Sequence, residues 1–136
     1  PAAGRAALLA RAALPGSGVT RVEWTPTDDP AAAGVSGDVV WDDDRQEGYM
    51  RFTGLARNDP RREQYQLWIF DERGDERHPV DGGVFDIPGA AGDVIVPIQA
   101  KLAVRRPALF AVTIEKPGGV VVSSRERLPL LAKVVR

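Results

Sequence analysis

The chain has 136 residues, 43% of them apolar, with 18 basic and 19 acidic side chains and a net charge of -1. That balance leaves no electrostatic footprint for DNA, RNA or anionic lipid, and with no cysteine the fold uses neither disulfides nor thiolate metal sites. The length suits one domain that buries roughly two-thirds of its unfolded surface; no run approaches the ~18 apolar residues of a membrane span, and no leader with a charged start and apolar middle is visible.

The first residue is Pro1 and not Met, so the chain is expected to be a piece of something longer. Residues 1–14 are rich in alanine, carry Leu8, Leu9 and Leu14, and run into Pro15-Gly16-Ser17-Gly18. Alanine favours helix and Pro-Gly ends it, which predicts a short helix. Its apolar stripe is thin, so residues 1–18 are read first as a helical tether and second as a helix docked on the open face of a sheet. Residues 19–136 are expected to form a single β domain.

Residues 19–25 alternate, with Val22 and Trp24 on one face and Arg21 and Glu23 on the other, as in a half-buried strand. A Pro, Asp, Ala and Gly loop follows to residue 36. Residues 37–42 and 48–55 read as a hairpin whose Val39 and Trp41 face Met50 and Phe52. Asp42-Asp43-Asp44 offers carboxylates for calcium but reads better as a charged hairpin tip.

Residues 64–71, Gln-Tyr-Gln-Leu-Trp-Ile-Phe-Asp, are dense in aromatic and branched residues. Tyr65, Leu67 and Ile69 project to one face and Trp68 and Phe70 to the other. With both faces apolar, this strand belongs mid-sheet, covered by a second sheet on one side and by a loop, helix or partner on the other. Residues 72–83 read as a charged turn ending in Asp81-Gly82-Gly83. Residues 84–87 and 93–98 flank Pro88-Gly89-Ala90-Ala91-Gly92, a hairpin signal, and Pro97 marks a strand end or an edge. Residues 109–115 carry Phe110, Val112 and Ile114 on one face, Pro117-Gly118-Gly119 turns the chain into a strand at 120–123, and a last strand spans 128–134.

Eight or nine short strands with one helix predict an all-β fold, an antiparallel two-sheet β-sandwich of about immunoglobulin size, with a small barrel as the alternative. Alternating βα units are absent, which argues against a doubly wound enzyme.

Catalytic chemistry is hard to find. His78 is the one histidine, and its acidic neighbours match no zinc or EF-hand spacing. Ser123 and Ser124 lack a nucleophile-elbow context and would have to recruit His78 for a triad. Arg61-Arg62 and Arg105-Arg106 are isolated basic pairs. Trp24, Trp41 and Trp68 would stack a sugar if exposed, but lying on apolar strand faces they read as core. No catalytic, cofactor-binding or metal-binding residue is assigned, and no cofactor is expected.

Five segments carry a resemblance. Gly37-Asp-Val-Val-Trp41, Tyr65-Gln-Leu-Trp68, Gly83-Val-Phe85, Phe110-Ala-Val-Thr-Ile-Glu115 and Pro117-Gly-Gly119 occur in the order and spacing of the C-terminal domain of the anti-sigma-K factor family. The chain resembles that family over about residues 37–134. Lys116 stands where a more direct Glu-Pro is common, and residues 120–127 replace the usual tail after the glycines. The resemblance implies an extracytoplasmic, non-enzymatic sensory domain of a single-pass membrane protein. Its partners would be a sigma factor held by a cytoplasmic domain absent from this chain, the membrane through a helix also absent, and a regulatory protease or unknown ligand, with no nucleic acid. Trp41, Tyr65, Gln66, Leu67, Trp68, Gly83, Phe85, Thr113, Glu115, Pro117, Gly118 and Gly119 would then be structural motif residues. Glu115 reads as a strand-end acid accepting turn hydrogen bonds in preference to a ligand contact. A free-standing extracellular carbohydrate- or protein-binding module is the second function, and an enzyme the third.

Overall fold

The structure, a computed structural model, describes residues 1–89 and 92–135. A helix, α1 (Ala2–Ala12), precedes nine strands among the described residues: β1 (Val19–Glu23), β2 (Thr25–Pro26), β3 (Ser36–Asp42), β4 (Glu47–Thr53), β5 (Gln64–Asp71), β6 (Val80–Phe85), β7 (Val94–Pro97), β8 (Pro107–Glu115) and β9 (Leu130–Lys133). They form two antiparallel sheets, in the orders β1-β3-β4-β7 and β2-β9-β8-β5-β6. The sandwich is the architecture that the single-face alternation requires, and there is no barrel.

Strand β5 is hydrogen-bonded to β8 on one side and β6 on the other, as its two apolar faces demand. Tyr65, Leu67 and Ile69 enter the core between the sheets with Phe110, Val112, Leu130 and Ala132 of the neighbouring strands. The β3–β4 hairpin supplies the opposite wall, with Val39 paired to Met50 and Gly37 to Phe52. An aromatic column joins the two walls. Trp24 stacks on Phe52 with ring centroids 5.5 Å apart, Phe52 on Phe85 at 5.4 Å, and Phe85 on Tyr65 at 5.6 Å. Such contacts add about 0.5–1.5 kcal/mol each beyond the area they bury.

Four expectations are corrected by the topology. Residues 19–25 are not one strand: β1 pairs with β3 and β2 with β9, so the chain passes from one sheet to the other at Trp24. The segments flanking Pro88-Gly89 and Gly92 are not a hairpin, because β6 pairs with β5 while β7 pairs with β4 across the sandwich; Ala90 and Ala91 lie outside the described residues. Asp81-Gly82-Gly83 is not a turn. These residues lie within β6, where Leu67 pairs with Gly83 and Trp68 with Asp81, leaving Gly82 as the extra residue of a bulge. A Cβ on Gly82 would lie 2.6 Å from Leu67 Cδ2, which is why a side chain is excluded there. Finally, residues 120–123 form no strand, for β8 already has β5 and β9 on its two edges. Pro97 ends β7, which is an edge strand, as expected of a residue without an amide proton.

Helix α1 lies on the four-stranded sheet and does not stand off as a loose tether. Arg5, Leu8 and Arg11 fall on one side of the helix, and Asp38, Val40 and Asp42 alternate onto one face of β3. Leu8 and Val40 are fully buried between the charged pairs. Arg5 Nη2 donates to both oxygens of Asp38 at 2.9 and 2.7 Å, and Arg11 Nη2 donates to Asp42 Oδ2 at 3.0 Å. Asp42 also accepts the amides of Asp44 and Arg45 at the hairpin bend. It is therefore an internal anchor, and not part of a solvated tip.

Candidate functional site

The motif segments converge on β5 and divide between its two faces. On the inner face Tyr65, Leu67 and Phe85 belong to the core, as does Trp41 from the opposite sheet, whose indole donates to Asp43 Oδ1 at 2.8 Å. The Tyr65 hydroxyl donates to the carbonyl of Ala56 at 2.6 Å. Burial, helped by the charges of Glu63 and Asp29, pushes its pKa up to about 12, so it stays a donor at any physiological pH.

On the outer face Gln66, Trp68 and Thr113 are buried although they point away from the second sheet. They are covered by residues 117–128, which leave β8 at a tight turn and cross the sheet as a strap. The Gln66 side chain holds the strap as a strand would: Nε2 donates to the Val120 carbonyl at 3.1 Å and Oε1 accepts the Val120 amide at 3.0 Å. Two residues earlier in β5, and so on the same face, Gln64 Oε1 accepts the amide of Gly118 at 2.8 Å. Gly119 closes the turn through its amide on the Lys116 carbonyl at 2.9 Å. It sits at φ +78°, with space for a Cβ taken by Val84 Cγ2 at 2.6 Å and Gln66 Oε1 at 2.7 Å. Beneath the strap, Trp68 Nε1 donates to Thr113 Oγ1 at 2.9 Å.

Further along, Glu115 accepts a hydrogen bond from Ser123, Arg125 sits over the Phe70 ring at 5.0 Å, and the Arg127 carbonyl accepts the Ile114 amide at 3.0 Å. Arg127 then forms a two-pronged pair with Asp29, both contacts 2.8 Å. The Arg127 hydrogen bond holds the Asp29 carboxyl below its ordinary pKa against the effect of burial.

Glu115, Gly118, Gly119, Gln66, Trp68 and Thr113 are thus brought together around one strap, while Trp41, Tyr65 and Phe85 serve the core. Pro117 is exposed in the turn and Gly83 lies in the β6 bulge. The three tryptophans are buried, which removes the aromatic platform that a sugar would need. His78 is exposed and bonded to Asp75 Oδ2 at 2.9 Å; among the described residues no hydrogen bond joins it to Ser123 or Ser124. No group of three or more His, Cys, Asp or Glu among the described residues is placed to hold a metal.

Sequence reasoning missed the charged layer under α1. Asp38 is fully buried and meets three guanidiniums, from Arg5, Arg21 at 2.9 Å and Arg51 at 3.4 Å. Burial pushes its carboxyl up, but the Arg5 hydrogen bonds and the charges of Arg5, Arg51 and Arg21 outweigh it and the net shift is downward. Asp42 behaves alike, with burial opposed by the Arg11 hydrogen bond and by two backbone amides. The signal was present as a matched pattern, Arg-x-x-Leu-x-x-Arg in the helix and Asp-x-Val-x-Asp in the strand.

No curated protein and no solved structure matches the chain. The family model described as anti-sigma-K factor rskA, C-terminal, matches residues 1–124, which takes in α1 and the strap turn and stops before β9. With 124 of its 136 residues so matched, the chain belongs to the anti-sigma-K factor C-terminal family.

Proposed function

We propose that this chain is the extracytoplasmic regulatory domain of a membrane-anchored anti-sigma factor, a non-enzymatic module that governs release of a sigma factor held by a cytoplasmic domain outside the chain. The family match over residues 1–124 carries this reading. The motif residues support it, because their polar groups are spent on one another and on the strap: Gln66 on Val120, Trp68 on Thr113, Glu115 on Ser123. They are structural residues in this reading, and none acts on a substrate.

A transmembrane helix precedes Pro1 in this proposal; among the described residues no helix is long and apolar enough to cross a membrane. The clamped α1 then matters. Two ion pairs and a buried leucine fix it to the sheet, so that a displacement of the β domain is passed to the membrane segment without slack. The unit that moves is α1 together with the sandwich.

Fusion of alkaline phosphatase to the C-terminus of the full-length parent tests the placement. Phosphatase activity in intact cells is the expected result, with sigma-dependent transcription rising when the parent gene is deleted. An inactive phosphatase, or transcription indifferent to the deletion, overturns the proposal.

A further inference from the structure

The strap does not fill the space beneath it. Trp68, Phe70, Leu109, Ala111, Leu128 and Leu131 surround a cavity of about 120 Å³ on the outer face of the five-stranded sheet. Protein interiors leave few voids larger than one water molecule, and this one is poorly suited to water, which needs two to four polar partners. The Trp68 indole proton is already committed to Thr113 Oγ1. A dry cavity of about 150 Å³ is enough to take up benzene.

One wall of this chamber is Arg125, and the same side chain lines an open cleft of about 530 Å³ on the protein surface, with Arg77, His78, Ser123 and Ser124 also at its edge. Arg125 is held at φ +61°, a left-handed conformation uncommon for a residue with a side chain. Its guanidinium lies over Phe70, with Nη2 donating to the Glu76 carbonyl. An apolar chamber therefore opens toward a polar vestibule past a guanidinium that has donors to spare. Glu76 lines the vestibule with Arg77 and Arg125, and the Asp75 and Glu115 carboxylates reach its edge only through their bonds to His78 and Ser123.

We propose that this is a binding site for a small apolar monocarboxylate, with its aliphatic or aromatic body in the chamber beside Trp68 and its carboxylate on Arg125. The site stands on geometry and not on the regulatory reading, and binding to this chain alone says nothing about sigma-factor control, so the two fail separately. Size limits the body to about six carbons, the scale of benzene.

The test follows the Trp68 indole N–H resonance of the 136-residue chain during titration with butanoate, pentanoate, hexanoate, octanoate, hexylamine and benzene. Saturable shifts are expected with hexanoate and benzene, with affinity rising about fourfold per methylene and levelling off beyond about six carbons. Ala111→Leu, which fills the chamber, abolishes both shifts. Arg125→Gln weakens hexanoate about tenfold or more, the scale of a hydrogen bond to a charged group, and leaves benzene unchanged. Absence of a saturable shift in the wild-type chain with either hexanoate or benzene overturns the site outright, whatever the variants do. Hexanoate binding undiminished in Ala111→Leu overturns its location. Hexylamine binding as tightly as hexanoate, or indifference to Arg125→Gln, overturns the assignment of the head group.

Discussion

Replacing Asp38 by asparagine keeps the shape of the side chain and removes the charge on which three arginines converge. The carboxylate is wholly inaccessible and accepts Arg5 at 2.9 and 2.7 Å, Arg21 Nε at 3.1 Å and Arg51 at 3.4 Å. Removing one partner of a buried ion pair costs about 3–5 kcal/mol, mainly because the remaining charge is left buried and unpaired. Not every arginine is stranded equally. The Arg21 side chain is 45% exposed and turns to water, and Arg51 keeps Asp93 at 3.6 Å, whereas the Arg5 side chain is only 15% exposed. The expected loss is therefore at the lower end, about 3 kcal/mol. For a domain of this size it lowers Tm by about 10 °C. Urea unfolding and thermal melts followed by circular dichroism measure both quantities, and adding Arg5→Met to Asp38→Asn should recover part of the loss through their coupling. A loss below about 1 kcal/mol, the range of a surface pair, would refute the claim that this layer fastens α1 to the sheet.

The same carboxylates set the acid response. Asp29, Asp38, Asp42 and Asp71 all have pKa values lowered by folding, so the unfolded chain, with Asp near 3.9, binds more protons in acid. Stability should be flat from neutrality to about pH 5 and fall progressively below it, with a shallower fall in Asp38→Asn; a urea midpoint unchanged between about pH 6 and 3 would contradict this. Trp68→Ala, at a side chain only 2% exposed and beside an existing cavity, should cost about 3–5 kcal/mol, whereas near-wild-type unfolding would mean that the strap face contributes little. Gln66→Leu breaks both bonds to Val120 and should cost about 1–2 kcal/mol. Its amide exchange should accelerate in residues 118–128 and stay unchanged across the β5–β8 ladder; uniform exchange throughout the sheet would show that the clamp is not local. Gly119→Ala should lose about 1–2 kcal/mol to the left-handed backbone alone, with more from the displaced Val84 and Gln66, and an equally stable variant would remove the steric account of the turn.

Much of the fold was legible because burial writes a period into a strand. The two apolar faces of β5 required neighbours on both edges and cover on both sides, and the structure supplies β6, β8, the second sheet and the strap. The β3–β4 hairpin was readable for the same reason, since Val39 and Trp41 had to face the side on which Met50 and Phe52 lie. The motif residues were readable only as letters. That Gln66 imitates a strand by pairing with Val120, or that Gly119 yields its side-chain space to Val84, depends on segments 54 and 35 residues apart meeting on one face.

Alternation states that a strand has a buried side, but it does not name the sheet that buries it. For that reason Trp24 concealed a change of sheet, and Phe85 and Val94 looked like partners in a hairpin although they lie in opposite layers. Strand propensity in Val120, Val121 and Val122 came to nothing because no free edge of β8 remained to receive them. By itself the sequence determined the class of fold, the central strand and the presence of a helix at the start, since these follow from local propensity and from periods of two and 3.6 residues. Only the tertiary structure decided that the helix is fastened and that the strap encloses a cavity. Both rest on pairs distant in the chain, Arg5 with Asp38 and Gln66 with Val120, whose energies exist only once the sheets have brought the partners within hydrogen-bonding distance.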